Sequence, residues 1–140
     1  MYAIGKQLNL EAGNKAGKIL EKLDTDYEEF IHEIISFEVA KGNFDINQDA
    51  IKEKIWAFVK PDIESLFAYI NSVELQDVKI KYTAKYFQSL THTAENLFQK
   101  RKKTQNQLDE KDKKTLIDAS KDAIEADITK KMLRLSVGLL

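Results

Sequence analysis

Apolar residues along this chain recur at steps of three and four, the spacing that aligns side chains on one face of a helix. Ala12, Ala16, Ile19, Leu20 and Leu23 form the first stripe, and Asn9 suits the cap of a helix from Leu10 to about Leu23. Gly13 and Gly17 interrupt it at a G-x-x-x-G spacing, which in a helix outside a membrane weakens the element and allows one tight crossing. Thr25 and Glu28 then stand as T-x-x-E, a capping box that satisfies two orphan backbone donors and predicts a fresh helix start. Tyr27, Phe30, Ile31, Ile34, Ile35 and Phe37 supply its wide apolar face, and Gly42 suits the left-handed position that closes it.

Residues 43–46 read as a short connection, with Asp45 or Asn47 as the next cap. Ile51, Ile55, Phe58 and Val59 make the following stripe, with Trp56 beside it. Pro61 either ends this helix at Lys60, opening a new one with Asp62 and Glu64 in its first turn, or kinks a helix that continues. Ile63, Leu66, Phe67 and Ile70 extend the apolar face. From Gln76 to Lys103, the residues Ile80, Thr83, Phe87, Leu90, Ala94 and Leu97 alternate steps of three and four like a heptad seam. The beginning of that stretch, Val78 to Tyr82, also alternates with period two. With no second strand to receive its hydrogen bonds, a helix is expected there. Thr104 to Asp112 is polar and reads as a loop, and a last helix starts near Asp109 or Asp112 and stops at Gly138.

The pattern predicts one all-α domain over residues 1–140, with five to six helices in an antiparallel bundle and two long C-terminal helices as its spine. A globin-like crossed arrangement is the alternative, because mixed helix lengths and a proline bend suit it.

Composition narrows the function classes. The chain has 140 residues, 43% hydrophobic and 32% charged, with 22 basic against 23 acidic side chains, which describes a globular domain. Five glycines and one proline are too few for the turns of an all-β domain. The absence of cysteine excludes disulfides, thiolate-ligated zinc, iron–sulfur clusters and thiol catalysis. No apolar run approaches the ~20 residues of a membrane span. The opening Met-Tyr-Ala-Ile-Gly-Lys lacks a basic region followed by an apolar core, so a cytoplasmic location is expected. Arginine, the residue suited to bidentate phosphate and base-edge recognition, occurs only at Arg101 and Arg134.

Candidate chemistry is sparse. Glu29-x-x-His32 has the spacing of a carboxylate-bridged di-iron half-site, but His92 follows Ser89 and offers no second half. His92 also falls on the outward side of the seam, away from any haem pocket. No phosphate loop, dinucleotide fingerprint or nucleophile elbow is present. No catalytic residue, metal ligand or cofactor is therefore expected. Glu38 lies on the apolar face of its helix and is the candidate buried carboxylate, expected to pair or reach water. The basic run Lys100, Arg101, Lys102 and Lys103 closes a helix, where cations complement the dipole. With the apolar tail residues Leu139 and Leu140, it is the candidate partner contact. Acidic neighbours dilute the run, so nucleic acid and membrane surfaces are disfavoured as partners. The expected function is non-enzymatic binding of another protein, as in an adaptor, inhibitor, immunity or phage- or effector-type accessory protein, with self-association as a further expectation. The alternative is a ligand- or metal-binding helical sensor.

Overall fold

A computed structural model describes residues 2–42, 47–74 and 77–136, with side chains from residue 12 to residue 134. Four helices account for most of them: α1 (Tyr2–Ala40), α2 (Gln48–Ser72), α3 (Gln88–Thr104) and α4 (Glu110–Ser136). The expected five to six reduce to four for two reasons.

First, the helices predicted on either side of Thr25 are one. Ala12, Ala16, Leu20, Leu23, Tyr27, Ile31 and Ile35 are all buried and follow at steps of three and four straight through the proposed start. Thr25 is exposed on this continuous surface. A capping box stabilises a helix only where the chain turns, and here tertiary burial carries the helix through. Its C-terminus does end as expected, with Gly42 at φ 77° donating its N–H to the Val39 carbonyl at 2.9 Å.

Second, Pro61 is accommodated inside α2. The proline is exposed, so only one intrahelical hydrogen bond is forgone and the ring points to solvent. Asn47 caps this helix, its Oδ1 accepting from the N–H groups of Asp49 and Ala50 at 3.1 and 3.2 Å. The other cap candidate, Asp45, lies outside the described residues.

The stretch from Gln76 departs further from expectation. Asp77–Phe87 is extended and irregular, and α3 begins only at Gln88. Val78 and Ile80 are buried while Lys79 and Lys81 are exposed, so the period-two alternation is real. Its hydrogen bonds go to groups on helices. Lys81 N–H reaches the Gly13 carbonyl at 3.3 Å and Ile80 N–H reaches the Glu95 carboxylate at 3.0 Å. Lys85 and Tyr86 donate their N–H groups to the Asp24 carboxylate at 2.7 and 3.3 Å. Gly13 and Gly17 make this docking sterically feasible. A Cβ on Gly13 would collide with the Lys79 carbonyl oxygen, and one on Gly17 would stand 3.1 Å from that of Lys81. The tight crossing anticipated at the glycines is thus made by extended chain.

Residue pairs fix the directions. Phe30 stacks on Phe58 and Tyr69 bonds the Ala12 carbonyl, so α1 and α2 run antiparallel over most of α2. Lys52 pairs with Glu125 while Asn71 bonds Leu108, which sets α4 antiparallel to α2. Lys100 meets Asp112 across the α3–α4 hairpin. Consequently α2 and α3 are parallel, and residues 77–87 lie along α1 as a crossover. Contacts that persist along the helices are those of a bundle. Of the two long C-terminal helices expected as the spine, α4 is long at 27 residues but α3 has only 17, and the longest element is α1 at 39. Tyr27, Phe87, Phe98, Leu66 and Leu116 anchor the core where all these elements meet.

Candidate functional site

The basic run does not act as one patch. A helix turns by about 100° per residue, so four consecutive side chains point all round it. Arg101 is only 7% exposed and its Nη1 donates to the carbonyls of Ile70, at 2.7 Å, and Val73, capping the C-terminus of α2. It is therefore turned away from any partner. Lys100 is tied to Asp112 at 2.6 Å and Lys102 to Asp77 at 2.8 Å, leaving Lys103 exposed. Leu139 and Leu140 lie outside the described residues.

Glu38 is half-buried in the last turn of α1. Among the described residues, the buried carboxylates are Asp24, Asp62 and Asp112. Asp24 receives, besides the two amides of the crossover, the Tyr82 hydroxyl at 2.8 Å. Burial, together with Asp24, pushes that phenol up to about 12. Asp112 accepts from Lys100 and from the Asp109 N–H at 3.1 Å, while its own N–H returns to the Asp109 carboxylate at 3.0 Å. This reciprocal pair is the working capping box of the chain, at the start of α4. Burial opposes the charge on Asp112, but Lys100 and the Asp109 bonds hold its carboxyl below the ordinary range.

His32, Glu29 and His92 are all exposed. Among the described residues, no group of three or more His, Asp or Glu side chains is arranged to hold a metal ion. Among those same residues no helix is long and apolar enough to cross a membrane.

A polar network links α1 to α4. The Tyr27 hydroxyl donates to Asp127, which also binds Lys131 at 2.6 Å. Lys131 lies over the rings of Tyr27 and Tyr86, at 6.0 and 5.1 Å. Burial and then Asp127 raise the Tyr27 phenol far above its ordinary range, so it remains a hydrogen-bond donor at every ordinary pH. Such a group stays neutral and ties α1 to α4 through Asp127. Beside it, a shallow groove of about 450 Å³ lies between the start of α3 and α4, lined by Lys85, Tyr86, Ser89, Asp122 and Lys130. Its charges are of mixed sign. A smaller, largely apolar groove of about 230 Å³ separates α2 from α4 at Trp56, whose ring Lys121 covers at 4.9 Å.

Of the large apolar residues left exposed among the described residues, Leu133 lies on α4, and the other two, Phe37 and Phe58, lie on the outer face of the α1–α2 hairpin. Phe30 and Phe58 stack with centroids 4.2 Å apart and planes within 5°, yet Phe58 is 45% exposed. Phe30, Ile34 and Phe37 follow at i, i+4 and i+7 on one stripe of α1, with Phe30 and Ile34 half-buried and Phe37 62% exposed. Ala57 and Pro61 beside Phe58 are exposed as well. The antiparallel register places exposed Lys54 opposite Ile34, and Lys41 covers the Phe37 ring at 4.1 Å. The sequence marks Phe30, Phe37 and Phe58 as apolar but not as superficial. The α1 stripe at Phe30 and Phe37 departs by a fraction of a turn from the buried one at Tyr27, Ile31 and Ile35. Comparison with protein-family models, with curated protein sequences and with solved structures returns no match for the chain.

Proposed function

We propose that this chain is a non-enzymatic helical protein that binds another protein through the outer face of its α1–α2 hairpin. The observation that carries this reading is the exposure of Phe37, on the α1 stripe, and of Phe58, which stacks from α2 on Phe30 of that stripe. Large apolar side chains grouped on a surface lower their free energy by being covered, at roughly 25 cal/mol per Å². The occupant we assign is an amphipathic helix of a partner protein. It lays apolar residues at i, i+4 and i+7 along Phe30, Ile34 and Phe37, with an acidic edge meeting Lys54. Phenylalanines on rigid helices supply such contact at low entropic cost. Lys100, Lys102 and Lys103 lie on α3 and belong to a different face.

The test compares proteins captured by the wild type, by Phe37→Ser/Phe58→Ser, and by Lys100→Gln/Lys102→Gln/Lys103→Gln. Two contact residues worth about 2 kcal/mol each weaken binding of the true partner by up to roughly 800-fold in the first variant. The lysine variant retains it. Equal capture by the wild type and the phenylalanine variant contradicts the assignment. A dimer that dissociates in the phenylalanine variant would identify the partner as a second copy. Native mass spectrometry addresses the alternative, a ligand-binding sensor using the groove at the start of α3, because retained ligand mass would favour it.

A further inference from the structure

One turn along the same seam from the aromatic stack, two carboxylates converge on one ammonium. Lys22 Nζ is 2.7 Å from Asp26 Oδ2 on α1 and 3.0 Å from Asp62 Oδ1 on α2. Asp62 is 9% exposed, whereas Lys22 reaches out to solvent. Asp26 precedes Phe30 by four residues and Asp62 follows Phe58 by four, so the acid pair and the ring pair are adjacent rungs between the two helices.

We propose that Asp26 and Asp62, clamped by Lys22, act as a proton-sharing pair that makes the α1–α2 seam, and the Phe30–Phe58 stack beside it, respond to pH. Two negative charges facing one positive charge leave an excess negative charge in a seam with little water. A single proton held between the carboxyls relieves it, as like charges at contact distance cannot both ionise freely. The charged groups acting on Asp62 from the facing helix are Lys22 and Asp26, and on its own helix Lys60 and Glu64 pair with each other. Neither α3 nor α4 contributes a charge acting on it.

The titrations divide accordingly. Burial, and then Asp26, raise the Asp62 carboxyl above its ordinary 3.8 against the pull of Lys22. For Asp26 burial works against the charge, but its bonds to Lys22 and Asp62 hold it below 3.8. A carboxyl raised by folding stabilises the fold fully below its unfolded value and loses that contribution as pH rises through its folded value. A carboxyl lowered by folding stabilises above its unfolded value and loses that contribution as pH falls through its folded one. The seam is therefore tightest in mildly acidic solution, while one proton is shared, and loosens as Asp62 ionises.

The test is a side-chain carboxyl ¹³C titration of the full chain, wild type and Asp26→Asn, with the ring resonances of Phe30 and Phe58 followed in parallel. In the wild type, Asp62 titrates above 3.8 and Asp26 below it, each resonance sensing both steps. Asp26→Asn moves the Asp62 midpoint down, and the ring resonances follow the Asp62 midpoint. Asp62→Asn, which mimics the protonated acid, gives a melting temperature that falls less than that of the wild type across the Asp62 titration range. Single-step titrations at the ordinary value, or an Asp62 midpoint unmoved by Asp26→Asn, would overturn the sharing. Ring resonances that ignore the titration would overturn the coupling to the aromatic stack.

Discussion

Gly13 and Gly17, one turn apart on α1, let extended chain lie against helix backbone. Replacing an exposed helical glycine by alanine ordinarily stabilises by roughly 1 kcal/mol. At Gly13 the new methyl would meet the Lys79 carbonyl, which is held by its own chain, so Gly13→Ala is expected to destabilise by about 1–3 kcal/mol in urea unfolding. Gly17→Ala meets the Lys81 carbonyl oxygen and Tyr82 Cβ at 3.1 Å, a less severe approach, and is expected to change stability less. Arg101 makes a second residue-level test. Its bonds to the end of α2 come from a buried charged donor, and Arg101→Met should lower stability by about 1.5–3 kcal/mol. Lys103→Met, two residues on and on the far side of the helix, should stay within about 0.5 kcal/mol. Equal effects of the two would show that the run is uniform after all.

At the scale of elements, two capping boxes compete in the sequence and only one is used. Thr25→Ala removes the threonine of the unused one and should leave thermal stability unchanged or raise it slightly, since alanine is the better helix former. Asp109→Ala removes the working cap of α4 and should reduce stability by about 1 kcal/mol. Because Asp112 is held below the ordinary carboxyl range, its contribution is present above an unfolded value near 3.8 and is lost as pH falls through the folded one. An Asp112→Asn chain should therefore lack that part of the acid sensitivity, measured as the melting temperature between pH 5 and pH 2. These cases also show how much of the fold was legible in advance. The helical class, the C-terminal ends of α1 and α3, the Asn47 cap and the α3–α4 turn follow from local periodicity and turn chemistry, whereas the starts of α1 and α3 do not. Nor do the continuity of α1 and the extended crossover, because each is decided by partners far away in sequence. Asp24 accepts from residues about sixty positions on, and Gly13 accepts from Lys81. Period-two alternation without a partner strand looked unsatisfiable until a helix supplied the acceptors.

The whole molecule is organised by that crossover. Residues 77–87 run back along α1, with α2 and α3 parallel, and the crossover covers one flank of α1 while Phe37 and Phe58 stay exposed on another. The candidate interface was the least legible part of the sequence. Apolar residues on a helix announce burial somewhere, and only the packed arrangement tells which of them lie beyond the core. The claim that this rim binds a helix of a partner protein is tested most directly by photo-crosslinking in expressing cells. A benzoylphenylalanine replaces Phe37, Phe58 or, on a separate exposed face of α4, Asp118. The account predicts crosslinks from positions 37 and 58 to one amphipathic segment of one protein, and none to it from position 118. Crosslinks to a shared partner from position 118 alone would contradict it.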